Sequence, residues 1–249
     1  MAIARICTLA SGIILLTLAG APPAYAQADE DVKTLGFKRG ERELEFKFGN
    51  LRKRGQPRER EAAVGIGYAP NRNWFTQLGA EFESRNGSGL RADAFEWENK
   101  FQFAEPGRYP LDFGLLAELN RYRDRSEGYA LRFGPLMQKE VGRVTLNANV
   151  LLERTFDAAI GRPTELGYQW QARYNWRPQL DVGLQGFGEL GPWDNWAPRS
   201  QQSHRFGPAI FGKFKVGGDE EIEYNAALLT DPSNRARSYG LRLKAQYKF

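Results

Sequence analysis

The chain has 249 residues, with 35 basic against 30 acidic, one cysteine, one histidine, 27 glycines and 13% aromatic residues. The basic surplus is mild and its residues alternate with acidic ones, which argues against a nucleic-acid partner, and one cysteine excludes a disulfide framework. Abundant aromatics and glycine with a negative mean hydropathy suit a soluble all-β protein and an outer-membrane barrel equally.

Residues 1–26, MAIARICTLASGIILLTLAGAPPAYA, combine a basic Arg5, an apolar run from Ile6 to Leu18, helix-breaking Gly20, Pro22 and Pro23, and a small-x-small ending at Ala24-Tyr25-Ala26. This pattern predicts a signal peptide for export through the Sec pathway, with residues 27–249 as one mature domain. The apolar run is short for a membrane-spanning helix, and no comparable run follows it. Cys7 falls within the leader, so the exported chain carries no thiol, and 34 basic residues then face 30 acidic ones.

Beyond the leader the hydrophobic period is 2 almost throughout. The runs predict about twelve strands, near 41–49, 61–69, 73–84, 90–103, 111–121, 128–138, 143–154, 165–176, 179–190, 204–216, 220–230 and 237–249. The connections alternate between long or intermediate (NLRKRGQPRERE, SRNGSG, RYRDRSE, FDAAIGRPT, GPWDNWAPRSQQ, DPSNRAR) and short or compact (APNR, AEPGRYP, KEVG, RPQ, GGD). A soluble sandwich has no reason to alternate in this way, whereas an up-and-down barrel has short periplasmic turns and longer outer loops. The fold class expected is therefore all-β: an antiparallel transmembrane barrel of about twelve strands in the outer membrane of a Gram-negative cell.

The two faces of the strands fit that class. Leu111, Phe113, Leu115, Ala117 and Leu119 alternate with Asp112, Gly114, Glu118 and Asn120, with Leu116 the exception. Val144, Leu146, Ala148, Val150 and Leu152 likewise oppose Thr145, Asn147, Asn149 and Glu153. Apolar-out with polar-in is what lipid outside and water inside require. Tyr68, Trp74, Trp176 and Tyr247 near strand ends suit interfacial girdles. The final run places Tyr239, Leu241, Leu243, Ala245, Tyr247 and Phe249 on one face. This terminal set resembles the C-terminal signature of outer-membrane proteins, which implies the barrel-assembly machinery as a partner, through Tyr239, Leu241, Leu243, Tyr247 and Phe249.

Parity assigns a charged inward face. The candidate pore-lining residues are Glu81, Glu83, Glu96, Glu98, Lys100, Asp112, Glu118, Arg132, Glu153, Arg173, Asp181, Glu189, Lys213, Lys215, Glu221, Glu223, Arg242 and Lys244, with Glu43 and Glu45 on the first strand. Closure is expected to bring Glu43 and Glu45 near Arg242 and Lys244, and a turn at Gly217-Gly218-Asp219 to oppose Lys215 with Glu221 and Lys213 with Glu223. About twelve strands stand between a side-chain-filled barrel of eight and an open one of sixteen. A narrow mixed-charge channel for small solutes is the leading expectation. A non-conducting barrel with an ion-paired lumen and a structural or surface-contact role is the alternative, and an outer-membrane hydrolase comes third.

The hydrolase reading has little to stand on. Outer-membrane lipases use a serine with a histidine, and His204 in QQSHRFG is the single histidine. Parity turns it outward with Phe206, Pro208 and Ile210 while Ser203 points to the other face, so no nucleophile and base meet. Neither a Cys/His metal spacing nor a phosphate loop is found, so no enzyme activity, cofactor or metal is expected. Outer-membrane lipid and lipopolysaccharide are expected to surround the barrel. In the longest outer loop Trp193 and Trp196 are expected to pack across the mouth rather than to hold a sugar or a surface ligand.

The segments GIGYAPNRNWFTQLGAEFE and FEWENKFQFAEPGRYPLDFGLLAELNR resemble the family of bacterial outer-membrane proteins grouped as the putative MetA-pathway of phenol degradation. Its members repeat glycine-tyrosine strands, a short turn, then a Leu-x-x-x-Glu strand. The resemblance covers most of the chain at the level of pattern and implies passage of aromatic or other small hydrophobic compounds. It carries over no residue-specific role.

Overall fold

In the computed structural model, which describes residues 28–84, 89–232 and 238–249, the period-2 runs form strands and nothing else is regular. The strands are β1 (Arg42–Lys53), β2 (Glu59–Asn71), β3 (Trp74–Ser84), β4 (Arg91–Gln102), β5 (Asp112–Tyr122) and β6 (Tyr129–Val141). They continue as β7 (Val144–Phe156), β8 (Glu165–Arg177), β9 (Leu180–Pro192), β10 (Ser203–Gly217), β11 (Glu220–Asp231) and β12 (Ser238–Lys248). Each pairs antiparallel with its sequence neighbours, and β1 pairs with β12 to close a barrel. Every strand matches a predicted run within a few residues. The leader expected over residues 1–26, with Cys7, lies outside the described residues.

Two-residue turns at 72–73, 142–143, 178–179 and 218–219 join strands at one end, together with the longer connection 103–111. The connections 54–58, 123–128, 157–164 and 193–202 project from the other end. We call these the turn end and the loop end. The exterior is apolar: Phe46, Ile66, Leu78, Trp97, Leu115, Val150, Ile210 and Leu228 are exposed, as a lipid-facing belt requires. At the turn end Trp74 stacks on Phe101 at 6.4 Å and Tyr247 on Phe249 at 5.3 Å. The terminal Phe249 also exchanges backbone hydrogen bonds with Arg42, its N–H donating at 2.9 Å and its carbonyl accepting at 3.0 Å. The last residue thus finishes the seam that leaves no edge open to lipid.

Two register expectations fared differently. In the β10–β11 hairpin Lys215 lies opposite Glu221 and Lys213 opposite Glu223, as local turn chemistry implies, with the irregularity confined to Lys215/Gly217. Lys213 Nζ nevertheless sits 3.8 Å from Glu221, while Glu223 takes Lys248 at 3.1 Å. At the closing seam Glu43 lies opposite Lys248 and Glu45 opposite Gln246, so Arg242 and Lys244 are shifted toward Gly49 and Lys47. The shear accumulated around the whole barrel fixes that register, and no local pairing rule supplies it. Lys244 still reaches Glu45 diagonally, at 2.8 Å.

The interior is not empty. Before β1 the chain enters the barrel, and Ala28, Asp29, Asp31, Val32, Lys33 and Phe37 are buried inside it.

Val150 stands exposed at the middle of β7, where the belt is deepest. Val150→Arg should destabilise the barrel by about 2–4 kcal/mol, the cost of an arginine at the bilayer midplane. Reversible denaturant unfolding in phospholipid vesicles measures this cost, and a neutral result would contradict the lipid-facing assignment.

Candidate functional site

Nine residue steps of extended chain from Ala28 to Phe37 span about 30 Å, enough to run the length of the lumen. Phe37 packs against Phe75 at the turn end, with ring centroids 5.7 Å apart, and Gly36 donates its N–H to Gln102 at 3.0 Å. Farther in, Lys33 reaches Glu98 and Glu118 at mid-strand. Asp31 reaches Lys244, Glu30 reaches Arg205 near the loop end, and the Ala28 N–H donates to Glu61. The wall is thinned where the segment passes: a Cβ on Gly49 would overlap the Ala28 backbone, and one on Gly114 would meet the Leu35 side chain. Apolar contacts alternate with the polar ones. Val32 joins Phe187, Ala209, Phe211, Ala227 and Leu229. Leu35 packs on Leu116, Leu136 and Leu151, which explains the inward apolar residue in β5.

Strand register gives this segment an electrostatic role. On β4 and β5 Glu98 lies directly opposite Glu118, and on the closing seam Lys47 lies directly opposite Lys244. Like charges in opposed positions destabilise a sheet. Each pair receives part of its counter-charge from the wall, through Lys100, Arg132 and Glu45, and part from the segment. Lys33 bonds Glu98 and lies 3.1 Å from Glu118, and Asp31 lies 2.6 Å from Lys244 and 3.7 Å from Lys47. Lys33 and Asp31 are themselves 3.6 Å apart. The amide side chains of the wall hold the backbone as well. Gln169 Oε1 accepts the Lys33 N–H at 3.2 Å, and Asn149 Nδ2 donates to the Lys33 carbonyl at 2.9 Å. Gln102 Nε2 donates to the Phe37 carbonyl at 3.1 Å.

The inward residues inferred from the sequence divide into three groups. Glu43, Glu45, Glu96, Glu98, Lys100, Asp112, Glu118 and Arg242 are buried in the lumen, with Lys244 nearly so. Glu81, Glu83, Arg132, Glu153 and Glu189 line a cavity of about 270 Å³ at the loop end, floored by Asp29 and Glu30. There Arg132 pairs with Glu153 at 2.8 Å and lies 3.5 Å from Glu118. The rest gather at the turn end: Arg173 pairs with Asp181 at 3.3 Å, Glu221 and Glu223 pair as described, and Lys213 and Lys215 are exposed. Glu96, Glu98 and Glu118 bring carboxylate oxygens within 4.8 Å of one another, a donor set able to hold a cation. Ammonium groups of Lys33, Lys47 and Lys100 already serve it.

His204 makes no catalytic pair with Ser203. Its Nδ1 lies 2.7 Å from the Tyr168 hydroxyl and its Nε2 2.9 Å from Gln202 Oε1, while the Ser203 hydroxyl donates to Asp231 at 3.2 Å. Trp193 and Trp196 are more than half exposed, in place of the packing across the mouth that the loop sequence suggested. The sequence reading missed residues 28–37 altogether. They carry neither a helical nor a strand period, and the like-charge pairs they help to neutralise appear only once the register is known.

No protein-family model matches the chain, and no curated protein matches it. Among solved structures it is similar to the KdgM porin, at 7% identity over 82% of this chain and 99% of that one, TM-score 0.52. It is also similar to an outer membrane channel from Pseudomonas putida F1, at 10% identity over 86% and 96%, TM-score 0.59. A third likeness is the translocator domain of autotransporter NalP from Neisseria meningitidis, at 12% identity over 86% and 90%, TM-score 0.54. These likenesses concern the fold. With the closed barrel, its apolar exterior and its polar lumen, they make the chain an outer-membrane β-barrel.

Lys33→Met leaves the opposed Glu98 and Glu118 with only the wall cations Lys100 and Arg132, and removing one partner of a buried pair costs about 3–5 kcal/mol. Hydrogen exchange should accelerate at residues 30–37 while the strand amides stay protected. Unchanged exchange in the segment would mean that its apolar contacts alone hold it.

Proposed function

We propose that the protein is an outer-membrane channel for small polar solutes, closed in the described state by its own residues 28–37. The lumen wall carries this reading. Glu98, Glu118, Asn149, Gln169, Gln185 and Arg242, on six strands, are almost fully buried there, so the wall between the apolar seats of Val32 and Leu35 suits water or a polar occupant. The occupant is a single extended chain continuous with the wall only through Lys38–Glu41, where Lys38, Arg39 and Gly40 are exposed at the turn end. Withdrawal of one such chain would leave a passage of comparable cross-section.

The density of ion pairs in the lumen favours a second reading, a non-conducting barrel with a structural or surface-contact role. Passage of small aromatic compounds, implied by the resemblance of the GIGYAPNRNWF region, gains less support from a lumen so rich in charge. Lipid and lipopolysaccharide as surroundings, and assembly-machinery recognition of Tyr239, Leu241, Leu243, Tyr247 and Phe249, belong to the same proposal. Tyr239, Leu241, Leu243 and Phe249 face outward, where such recognition is possible.

Single-channel recording of the full chain and of Lys33→Met in planar bilayers tests the reading. The parent should be silent or rarely open and the variant should conduct steadily. Added to the variant, Glu118→Gln should lower cation preference and Arg132→Gln should raise it. Silence from both chains, with heat-modifiable migration showing folded barrels, would favour the non-conducting reading.

A further inference from the structure

Residues 28–37 are held in the lumen as a ligand is held. Four backbone contacts, to Gln169, to Asn149 and twice to Gln102, read the chain irrespective of its side chains. Two charge sites of opposite sign read Asp31 and Lys33, and an apolar patch around Phe187 and Phe211 receives Val32 between them. A barrel that needed only filling would use wall side chains for the purpose, as small barrels do. This wall instead sets lysine against lysine and glutamate against glutamate; Lys100, Arg132 and Glu45 meet part of the demand for counter-charge, and the remainder is left to an occupant. It also keeps donors in reserve. Arg242 is 1% exposed, and its Nε and Nη1 have no hydrogen-bond partner.

We propose that the lumen is a binding site for short peptides bearing a carboxylate and an ammonium group about two residues apart, and that residues 28–37 occupy it as a built-in ligand. The inference rests on the channel reading and names the solute class it admits. The carboxylate seats between Lys47 and Lys244, the ammonium between Glu98 and Glu118, and the peptide backbone on the buried amides. An acidic or neutral saccharide lacks the ammonium that the Glu98/Glu118 pair demands, and a simple cation lacks the rest.

The test uses the full chain with a site-specific protease recognition sequence inserted between Arg39 and Gly40, in the exposed rim stretch, so that the barrel folds before the segment is cut free. After cleavage and washing, a labelled peptide of sequence ADEDVKTLGF is titrated by fluorescence anisotropy, and Asp-Val-Lys is added as competitor. The native peptide should rebind saturably, and Asp-Val-Lys should displace it. Replacing the peptide lysine by glutamine should weaken binding roughly 30-fold or more, the penalty for truncating one partner of a buried charge pair. Equal binding by a scrambled peptide, no rebinding at all, or equal displacement by maltotriose would overturn the proposal. Current through the cut and washed barrel is recorded in parallel. Saturable, sequence-dependent binding without current would sink the channel reading and leave the binding site standing. Current without sequence-dependent binding would do the reverse.

Discussion

Two like-charge pairs, Glu98 against Glu118 and Lys47 against Lys244, govern the interior of this barrel. Cross-strand register forces each pair together, and neither can be relieved by moving a strand without breaking backbone hydrogen bonds that lipid cannot replace. Relief comes in part from Lys100, Arg132 and Glu45 on the wall, and the remainder has to come from inside. Asp31 and Lys33, two residues apart on an extended chain, present their side chains close enough to meet both pairs and each other. The depth of the segment, the passage left for it at Gly49 and Gly114, and the apolar seats for Val32 and Leu35 all follow from that placement.

Closure and interior are linked through the same seam. Pairing of β1 with β12 removes the unpaired edge, and it also sets Lys47 beside Lys244. Had the register placed Glu43 and Glu45 opposite Arg242 and Lys244, the seam would have neutralised itself. The observed register leaves a cationic site open toward the lumen instead. Lys244 is shared between Asp31 and Glu45, so the wall meets part of its own need and the segment meets the remainder.

The strands were legible because period 2 with an apolar outer face is a strong local signal, and the β10–β11 pairing because the turn at Gly217-Gly218-Asp219, with its irregularity at Gly217, fixes register within a few residues. Inward parity assigned Glu98, Glu118, Arg242 and Lys244 to the lumen, and the structure buries the first three there with Lys244 nearly so. Two things were not legible. The closing register depends on shear summed over twelve strands, which no single segment encodes. The stretch from Ala28 to Phe37, with charged and apolar residues in no regular order, has the composition of a linker. Its role is visible only when the wall it complements has been assembled, because its order follows the sequence of sites along the lumen, not a helical or strand period.

Buried ion pairs add little net stability, since removing both partners from water costs about as much as their attraction returns, but breaking one pair is expensive. That asymmetry makes the segment a latch more than a source of stability. The strand ladders hold the barrel closed whatever fills it, so loss of the occupant leaves the fold intact while leaving two opposed charge pairs only partly met by the wall. Water entering the lumen would screen those pairs only in part, because the low-dielectric wall and surrounding lipid focus their fields into the passage. An emptied lumen of this kind attracts any solute that carries both charges at the right separation. The sites that hold residues 28–37 in place would then select what replaces them, so closing the passage and choosing its solute are two consequences of one arrangement of charge.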